Sequence, residues 1–310
     1  MFLSAAIVCF LITYPIVWII RFFSLNQSIR EEGPASHRFK AGTPTLGGIG
    51  FILTITAFAV IFVNFELDLK YLALILLMLG FAAVGFADDL IKIARKQNLG
   101  LTFWQKIASQ TFLAALFSAF MISLGHQHTV GQLLENVGFS ISTFYFLLST
   151  FMIVGTANAA NLTDGLNGLL AGTAAIAFLA FGLLSYRMGI PEAAVFCFIA
   201  AGAVFSFLFF NFPIANVFMG DVGSLAIGAA LAGIAIIIHK ELRLILIGGV
   251  FVVEALSVIL QVASYKLWKK RIFRMTPLHH TFELMGIKET AIVIGFWTAG
   301  AVLAIAGVLM

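Results

Sequence analysis

Four aspartates lie at the borders of apolar stretches, where their most direct chemical use is to bind a cation. Asp88 and Asp89 close one stretch in FADDLIKI. Asp164 lies within NAANLTDGLNGL, and Asp221 lies within NVFMGDVGS. A carboxylate beside hydrocarbon is costly and usually marks an ion or proton site. Mg²⁺ prefers oxygen ligands, often one or two carboxylates plus substrate phosphates. A helix cap or a solvated loop would explain one such residue, but four together favour a shared Mg²⁺ and phosphate site.

Glycines and histidines near these aspartates also favour phosphate chemistry. Glycines at helix starts leave backbone N–H groups that can approach a phosphate. The glycines in such positions are Gly47, Gly48, Gly165, Gly168, Gly220 and Gly223. His279 and His280, in RMTPLHHTFEL, can bind diphosphate, move protons near neutral pH or ligate a metal. Glu254, inside the apolar run FVVEALSVILQ, fits a buried structural role at least as well as a catalytic one and is left outside the site.

The composition indicates that membrane helices must position these residues. Hydrophobic residues make up 61% of the 310-residue chain and charged residues only 10%, whereas a soluble domain has about 25% charged residues. Cys9 and Cys197 lie in apolar runs and predict neither a disulfide framework nor a metal cluster. We therefore predict an all-α, polytopic membrane protein with one transmembrane domain over residues 1–310.

Apolar runs of spanning length recur along the whole chain and predict about ten transmembrane helices. The runs cover residues 2–22, 46–64, 70–87, 105–124, 139–157, 166–186, 192–210, 222–238, 243–265 and 290–309.

The distribution of basic residues predicts the orientation of these helices. Of the 18 Lys and Arg residues, 14 fall in one set of connections and 4 in the other, so the first set is predicted to be cytoplasmic and both termini outside. The polar segments with chemical potential all fall in the cytoplasmic set. A transporter needs a pathway that reaches both faces, so one-sided chemistry is favoured over a transporter or a scaffold. These segments are residues 26–48, 86–106, 155–168, 211–224 and 266–289.

The motifs together resemble the polyprenyl-phosphate N-acetylhexosamine-1-phosphate transferase superfamily. The resemblance spans residues 27–284 and also includes QSIREEGPASHRFKAGTPTLGG and NFPIANVFMGDVGS. The first and last of these segments along the chain are QSIREEGPASHRFKAGTPTLGG and RIFRMTPLHHTFEL. They are most similar to the phospho-N-acetylmuramoyl-pentapeptide transferase (MraY) family. This resemblance implies Mg²⁺-dependent transfer of phospho-MurNAc-pentapeptide from UDP-MurNAc-pentapeptide to undecaprenyl phosphate, giving lipid I and UMP for peptidoglycan synthesis. The alternative is a sister transferase for another UDP-linked N-acetylhexosamine 1-phosphate, as in teichoic acid or O-antigen initiation.

The resemblance also implies roles for individual residues. Asp221 would ligate Mg²⁺, Asp88 and Asp89 would orient or deprotonate the lipid phosphate, and Asp164 would complete the polar centre. His279 and His280 would contact phosphate or sugar as members of the catalytic set. The residues that would bind the substrate are Lys40, Thr45, Lys106, Asn161, Asn167, Asn211 and Phe218, with Phe218 stacking on uracil.

Further expectations follow from the same resemblance. They are a bacterial plasma-membrane location, a cytoplasmic active site, contact with membrane lipid, often a homodimer, and no nucleic-acid partner. The sequence departs from the family pattern at Asn167, where Asp is usual, and at Thr281, where a third His is usual. An Asn carbonyl can still accept a hydrogen bond from uracil, and the sequence alone suggests that Asn167→Asp keeps or raises activity.

Overall fold

The computed structural model describes residues 1–23, 25, 42–63, 68–95, 97, 99–125 and 141–310. The elements in these ranges are all helices, which confirms the predicted all-α class. They are α1 (Phe2–Phe22), α2 (Gly48–Phe62), α3 (Leu69–Arg95), α4 (Phe103–Ser123), α5 (Ile141–Thr163), α6 (Leu169–Arg187), α7 (Pro191–Asn211), α8 (Gly220–Ile237), α9 (Glu241–Ile247), α10 (Gly249–Trp268), α11 (Leu278–Leu284) and α12 (Glu289–Leu309).

Nine helices in the described ranges are long and apolar enough to cross a membrane. The remaining predicted span corresponds to α2, which has 15 residues. A helix of that length rises only about 22 Å, less than the roughly 30 Å of a bilayer's hydrocarbon core. Within the described residues, each predicted apolar run contains a helix, and the chain is a multi-span membrane protein. The side of the membrane on which the termini lie stays a prediction.

Some helix boundaries differ from the prediction in ways that affect the site. α3 continues to Arg95, about two turns past the predicted end, so Asp88 and Asp89 lie inside a helix instead of closing it. The ninth predicted run is split at Gly248, whose φ of −92° and ψ of 19° separate α9 from α10. The sequence hides this break because the residues on both sides are apolar. The short helix α11 was not predicted either.

The helix α8 lies at the centre of the bundle, and nearly all of its residues are buried. Small residues allow it to approach its neighbours: a Cβ on Gly228 would lie 2.5 Å from the Cα of Ala157 in α5. On another side, Gly233 faces Leu74 of α3. Small residues at helix contacts are the usual means of close packing in lipid, where apolar burial between helices contributes little. α8 is therefore held rigidly between the two helices that carry most of the polar site.

We expect Gly228→Ala to destabilise the bundle, since the added methyl group would meet the backbone of Ala157 and the carbonyl oxygen of Thr156. Overpacking of this kind costs about 1–3 kcal/mol. The matched control is Gly155→Ala in α5, where a Cβ would meet no atom within 4 Å. Thermal unfolding of the detergent-purified proteins measures both changes. Equal unfolding midpoints for the two variants would contradict the close packing of α5 and α8.

Candidate active site

Three aspartates come together where α3 crosses the first turn of α8. Asp88, Asp89 and Asp221 each offer a carboxylate oxygen, and these atoms lie within 4.8 Å of one another. Asp88 and Asp89 are 3% and 1% exposed. The crossing is close because Gly85 has no side chain: a Cβ there would overlap the backbone carbonyl of Asp221. The helix–helix contact and the carboxylate cluster are thus one feature of the fold.

Two lysine side chains compensate much of the negative charge. Lys92 Nζ lies 2.6 Å from Asp88 Oδ2, 3.1 Å from Asp221 Oδ2 and 3.5 Å from Asp89 Oδ1. Lys106, from the first turn of α4, lies 2.5 Å from Asp221 Oδ2. Buried charges are tolerated only when they are paired and hydrogen-bonded. Among the described residues, this cluster has three carboxylates and two ammonium groups. One negative charge is therefore left for a further cation to balance.

Neutral donors fix the orientation of each carboxylate. The backbone N–H of Leu101 donates to Asp88 Oδ1 at 2.7 Å, and that of Val222 donates to Asp89 Oδ2 at 3.2 Å. Asn161 Nδ2 donates to Asp221 Oδ1 at 2.8 Å. Asn161 therefore lies at the cluster, where the sequence placed a substrate-binding residue, but its amide already holds Asp221.

Two buried oxygen atoms at the cluster have no hydrogen bond within the described part of the chain. They are Asp89 Oδ1 and the hydroxyl oxygen of Thr45. Both residues lie beside Gly220, where a Cβ would be 2.5 Å from Asp89 Oδ2 and 2.8 Å from Thr45 Oγ1. Gly220 also has a φ of +77°, a conformation that favours glycine. Because unsatisfied buried polar atoms are rare in native proteins, these oxygens are well suited to a cation or phosphate.

Asp164 is not a member of the three-carboxylate group. It follows the end of α5 at Thr163, and its backbone N–H donates to the carbonyl of Asn161 at 3.3 Å. The structure thus gathers three of the four predicted aspartates and places the fourth in the α5–α6 turn (residues 164–168). α5 extends past its predicted end, so Asp164 directly follows the last turn of this helix.

The α5–α6 turn also joins the residues predicted to bind the nucleotide. Asn211 Oδ1 accepts from the backbone N–H of Gly168 at 2.6 Å, and its Nδ2 donates to the carbonyl of Val217 at 2.9 Å. Asn211 therefore ties this turn to the α7–α8 connection. Phe218 lies in that connection, is partly buried, and donates its N–H to the carbonyl of Pro44 at 2.8 Å. Lys40 lies outside the described residues.

Asn167 uses its amide in a way that the sequence did not reveal. Its Nδ2 donates to the carbonyl of Pro213 at 3.2 Å, and its backbone N–H donates to Glu289 Oε1 at 2.8 Å. Its buried Oδ1 has no hydrogen bond from any residue that the structure describes. The amide thus holds the turn on one side and keeps a free acceptor on the other.

The two histidines of α11 approach the same turn from the other side. His279 is fully buried, with Nδ1 3.2 Å from Glu254 Oε2 and its Nε2 so close to Gly165 that a Cβ there would overlap it. His280 Nδ1 lies 2.7 Å from Glu283 Oε2. Glu254 was left outside the site on sequence grounds. The available signal was a single carboxylate in an otherwise apolar run.

Thr281, where the family usually has a third histidine, has a local role. Its hydroxyl donates to the carbonyl of Met275 at 2.5 Å, which closes the loop before α11. Gln261 fixes the same loop by accepting from the N–H groups of Ile272 and Phe273. Beside it lies a cavity of about 520 Å³ lined in part by Lys266, Arg271 and Arg274. The loop thus contributes the positive charges of Arg271 and Arg274 to this cavity.

Comparison with known proteins agrees with this arrangement. Residues 71–239 match the family model described as glycosyl transferase family 4. Curated proteins named phospho-N-acetylmuramoyl-pentapeptide-transferase are 49% identical in Bacillus pumilus, 48% in Shouchella clausii and 46% in Bacillus subtilis. Each alignment covers 93% of this chain and 90% of the relative. The chain therefore belongs to the phospho-N-acetylmuramoyl-pentapeptide-transferase family, as its motifs predicted.

The contacts of Asn167 reverse the expectation for Asn167→Asp. A carboxylate would face the carbonyl of Pro213 without a proton to donate and would lie near Glu289, so we expect lower stability and weaker donor binding, each by about 1–3 kcal/mol. Asn216→Asp is the control, because Asn216 Oδ1 already accepts from Arg21 at 3.0 Å. The thermal midpoint and the KM for the nucleotide donor measure the effect. Unchanged stability with equal or higher activity would restore the expectation from sequence.

Proposed function

We propose that this protein transfers phospho-MurNAc-pentapeptide from UDP-MurNAc-pentapeptide to undecaprenyl phosphate, giving lipid I and UMP. The observation that carries the proposal is the cluster of Asp88, Asp89 and Asp221, ion-paired with two lysines, at one end of a membrane helix bundle. A cluster at such a boundary can be reached by a soluble nucleotide from water and by a lipid phosphate from the bilayer. The names of the relatives support this reaction over the sister transferases.

We propose Mg²⁺ as the cofactor, with Asp221 as its ligand and Asp88 and Asp89 beside it. The residues fit this ion, because they supply carboxylate oxygens close together and one more negative than positive charge. Asp89 Oδ1, which lies 3.5 Å from Lys92 Nζ but has no hydrogen bond within the described residues, is a further oxygen for it or its waters. When bound, Mg²⁺ would neutralise charge on the donor diphosphate during phosphoryl transfer.

The protein's own residues would mainly position the substrates. A lipid phosphate is largely ionised near neutral pH, so Asp88 serves as a positioning group and not as a strong base. Lys92 and Lys106 can turn from the carboxylates towards incoming phosphate oxygens, because a lysine ammonium on its flexible stem has several donors. The hydroxyl of Thr45, which lies with Asp89 beside Gly220, would donate to a phosphate.

The uridine would bind at the α5–α6 turn and the α7–α8 connection. Asn167 Oδ1 is the acceptor for a uracil N–H, and Phe218 supplies a ring for stacking. Asn211 supports this subsite by holding the two segments together. Lys40 completes the predicted donor contacts. Asp164, His279 and His280 would face the diphosphate and sugar.

We further propose that this site faces the cytoplasm of a bacterial cell, with both termini outside the plasma membrane. The excess of basic residues on the connections of that face supports this orientation. The two lysines at the cluster, Lys92 and Lys106, are among the basic residues of these predicted cytoplasmic connections. We also propose a homodimer, which rests on the family resemblance alone. A product assay with competing UDP-sugars separates the proposed reaction from that of a sister transferase.

We expect Asp221→Ala and Asp88→Asn to lower UMP release by at least about 10²-fold, the scale for loss of a group that acts on developing charge. The assay uses detergent-purified protein, UDP-MurNAc-pentapeptide and a polyprenyl phosphate. Asp68→Asn is the matched control, since Asp68 pairs with Lys70 at 3.0 Å and lies just before α3, at the end of that helix far from the cluster. Full activity in both site variants would remove the proposed centre.

We expect EDTA to reduce UMP release to background and added Mg²⁺ to restore it. A second measurement does not depend on turnover: paramagnetic Mn²⁺, used as a stand-in, should bind the wild-type protein and lose most of its affinity in Asp221→Ala. Asp68→Asn should bind Mn²⁺ as the wild type does. Turnover that persists in EDTA, or Mn²⁺ binding that is unaffected by Asp221→Ala, would contradict the metal site.

A further inference from the structure

Glu254 and His279 form an ionisable pair that is hidden from water. Glu254 lies in α10 and His279 in α11, and each is 0% exposed. Glu254 Oε2 is 3.2 Å from His279 Nδ1. The groups are at pairing distance, although their alignment is not that of a formed hydrogen bond. Such contacts in unliganded active sites are often poorly aligned and tighten when substrate binds.

The chemistry of the pair assigns one ring nitrogen to Glu254. A buried carboxylate costs several kcal/mol unless a partner compensates it, and it can only accept hydrogen bonds when ionised. His279 Nδ1 must therefore carry the proton that faces Glu254. Nε2 is then the ring nitrogen that remains available to contact another group.

The Nε2 atom of His279 is directed at the α5–α6 turn. It lies against Gly165, where any side chain would overlap it, and Gly165 directly follows Asp164. It is fully buried and has no hydrogen bond among the residues that the structure describes. A buried polar atom without a partner requires an explanation, and here it is aimed at a segment that also holds Asn167.

We infer that Glu254 is a positioning residue that acts through His279, by holding its ring so that Nε2 is presented to an anionic oxygen of the phosphate class. With Nδ1–H directed at Glu254, the ring can donate from Nε2 only when both of its nitrogens carry a proton. The carboxylate beside Nδ1 is the partner that stabilises this positively charged ring. This inference rests on the proposed function and deepens it. The neighbouring His280–Glu283 pair repeats the arrangement at the edge of the same helix.

The discriminating experiment is a double-mutant cycle between Glu254 and His279. Glu254→Leu removes the carboxylate at similar volume, and we expect it to lower kcat/KM for the nucleotide donor by about 10–100-fold, the usual scale for a residue that orients a functional ligand. In a His279→Ala background the same change should have almost no further effect, because residues that act as a unit are not additive. Glu254→Gln keeps an acceptor for Nδ1 but removes the negative charge, so we expect its kcat/KM to lie between those of the wild type and Glu254→Leu.

Two controls separate positioning from a structural role. Glu241→Gln alters another buried carboxylate, which accepts from Tyr145 at 2.6 Å away from the site, and should leave kcat/KM unchanged. Thermal unfolding of every variant, and calorimetric binding of the donor, normalise activity to folded and binding-competent protein.

Clear outcomes overturn the inference. Equal losses from Glu254→Leu in the wild-type and His279→Ala backgrounds would show independent roles. A lower unfolding midpoint with unchanged activity per folded molecule would show a structural pair only. A wild-type protein that binds the donor but releases no UMP would contradict the proposed reaction. The pair would then be tested by donor affinities in the same cycle: non-additive losses of affinity would support it, and additive losses would overturn it.

Discussion

The structure depends on one constraint: several full charges are held together at the end of a helix bundle made largely of apolar residues. Asp88, Asp89 and Asp221 tolerate burial because Lys92 and Lys106 lie within ion-pair distance. Moving any contributing helix would leave an unpaired charge beside hydrocarbon, which costs several kcal/mol. The same pairing that stabilises the fold therefore keeps the polar centre assembled before any substrate arrives.

The helices meet this constraint by simple means. Small residues bring α8 against α3 and α5, and the extra turns of α3 carry two carboxylates past the apolar stretch. α4 begins with a capping box in which Thr102 accepts from the N–H of Gln105, and this fixed start places Lys106 over the cluster. A cap that is worth about 1 kcal/mol in a soluble helix here also sets the position of a charge.

The α5–α6 turn connects the parts of the site. Just before it, the side-chain amide of Asn161 donates to Asp221. Within it, Gly165 lies against His279, and the backbone N–H of Gly168 donates to Asn211. The carboxylate cluster, the histidine pair and the proposed nucleotide subsite therefore all contact one short segment. A substrate that contacts this turn would lie near all three at once, which suits a reaction whose catalysis is mostly positioning and electrostatics.

The sequence by itself determined the membrane class, the helical runs, the three aspartates of the cluster and the family, because composition, apolar run length and motif spelling are local properties. Only the tertiary structure decided that Asp164 lies outside the carboxylate group and that Glu254 faces His279. The reason is physical: Lys92 and Asp221 are 129 residues apart, and no local pattern encodes which distant side chains share a buried space. Breaks such as Gly248 are hidden similarly, because both flanking segments are equally apolar.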